Sequence, residues 1–497
     1  MLEQSAAVIA TFLFYLAMML GIGYWAFRQT VNSSDYFLGG RSLSPWPTAI
    51  SAGASDMSGW LLLGLPGYAF LAGYGAFWLA GGLLVGSWLN WLICSRRLRT
   101  YTIITKDSLT LPVYFTRRFE DNSKLLQTIS AFFILLFFLF YTSAGLVAGG
   151  KLFQTVFGLD YQYAVIIGTI CVVSYTLFGG FLAVSWTDLV QGLLMAAALI
   201  AVPLIVLDGN IMELTTSLGE KNPHLLSAFS NADGTEMSTI AIISLAAWGL
   251  GYFGQPHILA RFQASRSNKD LTTARRISLV WTAISITGAI LVGLVGIGYV
   301  DNNLAGVLED SETIFMVLVN GIFHPVVAGI LLAAILAAIM STADSQLLVS
   351  SSALAEDFYK QHINRKASSE RVVLVGRIGV VVLSLIALWL AFSPDSSVLG
   401  LVSYAWAGFG AAFGPVIILS LFWSRMNRLG ALAGIIVGGV TIVVWKQLNG
   451  GLFDLYELVP GIIFAVIAIV LVTLLTKAPS DSMLAKHQEM KDKLPNL

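Results

Sequence analysis

The sequence predicts an all-α polytopic membrane protein of about thirteen transmembrane helices, arranged as a five-plus-five inverted repeat with two broken helices. Three observations predict it. First, the 497 residues are 57% hydrophobic and 11% charged, against roughly 25% charged in soluble domains. Mean hydropathy is +0.79. Second, basic residues gather in alternate loops between the apolar segments. Third, two segments that lie five spans apart each carry helix breakers within the apolar run.

A span needs about 20 apolar residues. The segments that qualify are 5–27, 46–75, 77–95, 124–150, 161–181, 187–208, 238–260, 276–300, 324–353, 371–391, 397–424, 429–447 and 456–476. The first has no basic residues before it and reads as a retained span rather than a cleaved signal peptide. Of the 28 Lys and Arg, all but Lys151, Lys221 and Lys446 fall on one side. The positive-inside rule puts that side in the cytoplasm, the N-terminus outside and the C-terminus inside. An odd span count agrees with that. The loop from Asp208 to about Ser238 is polar and external, with turn signals at Asn222-Pro223 and Asp233-Gly234. The charged tail 477–497 is too short for a regulatory or catalytic domain. Cys94 and Cys171 lie in or beside apolar runs and read as small buried hydrophobes rather than a disulfide or metal pair.

The breaks organise the rest. Span 2 contains SAGASDMSGW (51–60); span 7 contains AAWGLGYFGQPHI (246–258). Backbone groups freed in hydrocarbon cost several kcal/mol each, so a break persists only where it lines an enclosed or watery cavity. Five is odd, so the second break crosses the membrane in the opposite direction to the first. That is the geometry of inverted repeats, about 46–208 and 238–424, and matching interrupted segments point to a transporter's binding site. Gly in a membrane helix is also a packing residue, so each break taken singly has two readings. The whole chain reads as one transport domain.

Asp56, Asp188 (at the start of span 6) and Asp344 fall within spans, and the expected segments contain no Lys or Arg in mid-span to neutralise them. An intramembrane carboxylate is by default functional. Carboxylates, hydroxyls such as Ser341 and Thr342, and free carbonyls are hard ligands that suit a cation such as Na⁺ rather than a transition metal. Ser and Thr in membrane helices also bond to the i−4 carbonyl and do nothing else. That reading is favoured for Ser350 to Ser352. Aromatics near the breaks, Trp60, Tyr141, Trp248 and Tyr252, could wall a small solute or anchor the protein in the membrane. There is no Walker A loop, GxSxG, HExxH or CxxC, so neither an enzyme nor an ATP-driven pump is expected, and no cofactor.

SAGASDMSGWLLLGLPG, GGFLAVSWTDLVQ, WGLGYFGQPHILARF, ILAAIMSTADSQLL and LVSYAWAGFGAAFGPV, with LGGRSL at 38–43, resemble the sodium/solute symporter family, and within it the bacterial branch that carries proline. The resemblance runs over essentially the whole chain. It implies a LeuT-like fold, alternating access, and secondary transport of L-proline driven by inward Na⁺ across a bacterial cytoplasmic membrane. It implies a sodium site between the first break and span 9, with carbonyls of Ala54, Met57 and Ala338 and hydroxyls of Ser341 and Thr342. It makes Asp56 the acid essential for sodium coupling and Asp188 an acid on the sodium path. Ser58, Gly59, Trp60, Tyr141, Trp248, Tyr252 and Pro256 match proline-site positions. Arg41 and Ser51 match positions that influence ion and substrate handling. Asp344, whose charge falls near the ion site, matches a coupling or gating position at which members vary. The partners implied are L-proline, Na⁺ and lipid, with no nucleic acid and no obligatory protein partner. The alternatives are the same fold carrying pantothenate, a sugar or a carboxylate, proton coupling, a channel, or a membrane sensor.

Overall fold

The computed structural model describes residues 2–28, 33–176, 180–208, 211–304, 307–393 and 396–495. It is helical throughout; the only strand-like pairings among these residues are the isolated bridges Leu43–Ser265 and Ser230–Glu236. Among the described residues all thirteen expected segments fall mainly on helix, and residues 177–179 of the fifth lie outside the described residues. Among the described residues, ten stretches are long and apolar enough to cross a membrane. Expected spans 2 and 3 run together in one of them, Trp60–Ile104, and spans 5 and 7 fall on the shorter apolar helices Tyr161–Ser174 and Thr239–Gly254.

The first broken span is Pro45–Ala54, an irregular link, a π-helical turn Trp60–Gly64, and Leu65–Ala72. Pro at the start of the first half is tolerated because its missing N–H has no intrahelical partner there. Gly59 lets the link pack closely on the helix Leu125–Phe157: a Cβ there would lie 2.6 Å from Ala148 Cβ. The second broken span is Thr239–Ala246, a 3₁₀ stretch Ala247–Gly254, and Pro256–Ala264. Gly254 lets this stretch press directly on the backbone of the helix Val398–Phe422 at Phe409.

Pro325–Ser352 is the central pillar. It packs against Leu2–Phe27, Leu125–Phe157 and Phe181–Leu207, and nearly all of its residues beyond the first turn are buried. The first half of the first broken span lies against Phe181–Leu207 and Asn268–Asn303.

Three features differ from the expectation. Asp188 lies two turns inside a helix that begins at Phe181, not at its start. The second broken span does not end at residue 260: Pro256–Ala264 continues and carries Arg261 fully into the interior. Residues 301–323, read as loop, hold a further short helix, Ile314–Ile322.

Candidate functional site

The carbonyl at the end of Pro45–Ala54 faces the pillar helix. Ser341 Oγ donates to Ala54 O at 2.9 Å and lies 3.1 Å from Ala338 O. Thr342 Oγ1 donates to Ala54 O at 3.2 Å. Four of the five oxygen groups expected to hold Na⁺ therefore converge. All are buried. Met57 lies in the same buried break, one turn of chain beyond Ala54. A cation at this point would take carbonyl and hydroxyl oxygens that otherwise bond one another.

Asp56 occupies the link itself. Its backbone carbonyl accepts from Tyr141 Oη at 2.8 Å and Trp60 Nε1 at 3.1 Å. Its carboxylate is fully buried, and neither oxygen meets hydrogen-bond geometry with any described residue. The Tyr252 hydroxyl, beside that carboxylate, is likewise without a hydrogen-bond partner. A buried polar group left unpaired is costly, so this cluster of Asp56, Trp60, Tyr141 and Tyr252 is built around something polar. Ser58 Oγ accepts from Trp60 N at 3.4 Å, and Gly59 sits against Ala148 and Ile339. Trp248 is set apart: its ring stacks on Tyr456 at 5.5 Å and lines an outer cavity of about 500 Å³ with Lys446 and Glu457. Pro256 opens the inner half-helix and is buried.

Sequence reasoning missed two residues here. Trp406 donates from Nε1 to Trp248 O at 2.7 Å and meets Tyr252 edge-on at 4.9 Å. Gln255 Nε2 donates to Gly251 O at 2.9 Å and lies 3.2 Å from Trp406 O, stitching the second break to Val398–Phe422. A glutamine next to a glycine-rich break was the available signal.

A charged group lies beyond the pillar's hydroxyls. Arg261 Nη2 is 3.1 Å from Asp188 Oδ2, and both side chains are fully buried. Ser51 Oγ donates to Asp188 Oδ2 at 2.6 Å and accepts from Arg261 Nε at 2.9 Å. Arg261 Nη2 also donates to Ser345 Oγ at 2.5 Å, and Ser345 donates to Ser341 O at 2.8 Å. The expectation that no basic side chain lies within the spans is thus corrected: Arg261 does, because its helix runs on past the expected boundary. Asp188 is held by Ser51 and Arg261 rather than beside Ala54. Asp344 shares the neighbourhood: Ser345 Oγ lies 3.4 Å from its Oδ1, and its Oδ2 has no hydrogen bond. Two carboxylates facing one guanidinium leave an excess negative charge for a cation or proton to meet.

Arg41 is elsewhere. It pairs with Asp107 at 2.6 Å and donates to Gln263 O at 2.6 Å and Thr102 Oγ1 at 3.2 Å. It joins the loop after the third expected span to the inner half of the second broken span. No group of three or more His, Cys, Asp or Glu suited to a metal occurs among the described residues.

Two broken helices around a buried oxygen cage define a membrane transporter of the LeuT-like class. A model of the sodium:solute symporter family matches residues 36–438, and the chain belongs to that family. It is 51% identical to the sodium/proline symporter of Salmonella typhimurium, over 96% of this chain and 95% of that one. It is 50% identical to the high-affinity proline transporter PutP of Bacillus subtilis, over 95% and 99%. Among solved structures it matches a Na⁺-coupled sialic acid symporter in a substrate-bound outward-open state, with TM-score 0.78 and 21% identity over 95% of this chain and 99% of that one. That likeness concerns the fold.

Proposed function

We propose that the protein carries L-proline into the cell together with Na⁺ by alternating access. The observation that carries the reading is the convergence of Ala54 O, Ala338 O, Ser341 Oγ and Thr342 Oγ1 at the first break. Full-length relatives named for proline transport support the solute. Na⁺ would bind these oxygens, with Met57 O completing the set and Asp56 supplying negative charge nearby. Proline would lie between the two breaks, near Trp60, Tyr141 and Tyr252, with Ser58, Gly59, Trp248 and Pro256 at its margins. Its carboxylate would meet the positive N-terminal end of the half-helix beyond the first break. Asp188, Ser51 and Arg261 would govern the inward path, with Asp344 and Arg41 tuning it.

The repeats would span about 46–208 and 238–424. The chain would cross a bacterial cytoplasmic membrane thirteen times, with an external N-terminus and a cytoplasmic C-terminus, a reading that the placement of basic residues supports. One Na⁺ moving inward with a zwitterion carries one net charge, so the membrane potential contributes about 2.3 kcal/mol per 100 mV. The test is uptake of radiolabelled L-proline by proteoliposomes under an inward Na⁺ gradient, against equal K⁺ and proton gradients. Uptake that requires Na⁺ and grows with an inside-negative potential is expected. Uptake that is indifferent to Na⁺, or no proline accumulation under any gradient, would overturn the reading.

A further inference from the structure

We propose that Asp357 and Gln263 frame a second Na⁺ site, at the end of the molecule that carries the basic loops, which holds the inner seam of the transporter closed. Asp357 lies on the π-helical continuation Ala353–Ile363 of the pillar helix. Its side chain is fully buried. The carboxylate accepts from Gln127 Nε2 at 2.7 Å and from Thr110 Oγ1 at 3.2 Å. Both donors are neutral. Among the described residues no cationic side chain pairs with it; the nearby Lys360 is engaged by Glu356 at 2.9 Å. When ionised, a buried carboxylate with neutral donors alone has its charge uncompensated, a costly arrangement that a proton or a bound cation relieves.

The second observation comes from the opposite wall. Asp357 lines a cavity of about 30 Å³. Gln263, on the inner half-helix Pro256–Ala264, lines the same cavity; it is 2% exposed, and its Oε1 has no hydrogen-bond partner. Thr110 and Ser352 add hydroxyl oxygens to the lining. The site therefore offers a carboxylate, an amide oxygen and two hydroxyls. These are hard ligands for a small hard cation and include no nitrogen or sulfur acceptor for a transition metal. The volume suits one or two water molecules or one ion. It is far too small for an amino acid.

This site is distinct from the oxygen cage at the first break. Asp357 is fifteen residues past Thr342 on the same helical run, about 20 Å at 1.5 Å per residue. Its walls belong to parts that separate when an inward path opens. Gln263 belongs to the second broken span, whereas Asp357 continues the pillar. A cation shared between them ties the two together. Internal Na⁺ then favours the closed inner seam. The proposal takes from the reading above the identity of the coupling ion and the opening of an inward path.

The test is equilibrium ²²Na⁺ binding to the purified full-length chain in detergent. Ser341→Ala weakens the cage at the first break. Saturable binding that survives this change is expected to weaken about tenfold or more in Ser341→Ala/Asp357→Asn, where a charged ligand is lost, and also in Ser341→Ala/Gln263→Met. Asp357→Asn alone is expected to lower by one the Na⁺ bound per chain while external proline still stabilises the protein against heat. Residual binding unchanged by both Asp357→Asn and Gln263→Met would overturn the proposal and leave a cavity that holds water only. So would Na⁺ binding to the unmutated chain at a single site that Ser341→Ala removes. Binding unaltered by Ser341→Ala would instead count against the cage, and the Asp357 and Gln263 variants would still decide this site.

Discussion

Ser341→Ala separates a coupling-ion ligand from a packing residue. In the ion-free protein Ser341 Oγ has one proton, donated to Ala54 O at 2.9 Å, with Ala338 O at 3.1 Å. Thr342 still reaches Ala54 O at 3.2 Å when Ser341 is gone. The carbonyl is therefore not orphaned, and the loss to stability is that of one neutral hydrogen bond, about 1 kcal/mol. In a chain of this length that lowers the unfolding midpoint by no more than about 2 °C. With Na⁺ bound, the same deletion removes a ligand to a charge, about 1.5–3 kcal/mol, which is roughly 10- to 150-fold in Na⁺ affinity. The assay is initial L-proline uptake by proteoliposomes over a range of external Na⁺ at a fixed membrane potential. The half-saturating Na⁺ concentration should rise by about tenfold or more. The proline KM should recover as Na⁺ saturates, because linkage acts through occupancy. A half-saturating Na⁺ concentration unchanged within about twofold, with uptake otherwise normal, would refute the assignment of Ser341 as a ligand. So would a proline KM that stays raised however much Na⁺ is supplied.

Other tests follow from the same geometry. Asp56→Asn removes an uncompensated buried charge, so the Na⁺-free protein should unfold at a higher temperature while the stabilisation gained on adding Na⁺ shrinks; a thermal-shift titration reads both. Arg261→Ala leaves Asp188 without its guanidinium partner and should destabilise by about 3–5 kcal/mol; adding Asp188→Asn should recover part of this loss, and strict additivity in the double-mutant cycle would deny the pair. The tail helix Asp481–Lys493 docks through His487, whose ring lies against Tyr101 at 6.0 Å. Burial first, then the charges of Arg118, Lys491 and Arg97, push His487 down to about 4 from its usual 6.5. The undocked tail binds a proton more readily, so docking is full above pH 6.5 and is lost as pH falls towards 4. Protection factors of the tail amides, with exchange rates corrected for their intrinsic pH dependence, should fall between pH 7.5 and 5, and His487→Phe should abolish that fall.

Much of this was legible in sequence because membrane burial imposes a strict code. Apolar runs must be helical, so the expected segments are mainly helix among the described residues. Breakers within such a run need a cavity, so SAGASDMSGW and WGLGYFGQP marked both interruptions. Ser341 and Thr342 could not be assigned by chemistry alone, because a hydroxyl on a membrane helix has the i−4 carbonyl as a ready partner. What distinguishes them is Ala54 O, 287 residues away from Ser341, a contact that no local pattern announces. Arg261 was hidden for a related reason. It follows an apolar run, where a basic residue ordinarily marks the cytoplasmic rim, and only the tertiary partners Asp188, Ser51 and Ser345 draw it inside. Tail residues 481–493 read as charged and solvated, yet Ser480 caps the helix and Glu120 binds Ser480, Ser482 and Lys486.

On the proposed function, Arg261 would also link ion binding at the first break to the inward path. Through Ser345 it is joined to Ser341 O, the backbone of a residue that faces the ion cage. Through Ser51 it is joined to the half-helix that ends at Ala54. Arg261 itself sits on the inner half of the second broken span. A cation that draws Ala54 O and the Ser341 and Thr342 hydroxyls together fixes the first half-helix against the pillar, and so fixes two of the three surfaces that Arg261 grips. With the cage empty, Ala54 O is held to the pillar by neutral hydrogen bonds of about 1 kcal/mol each, and the charged bonds of Arg261 to Ser51 and Ser345 are the remaining tie between the two surfaces. Differential contact of this kind is what allows a ligand to shift a conformational equilibrium, and here it runs through side chains that touch.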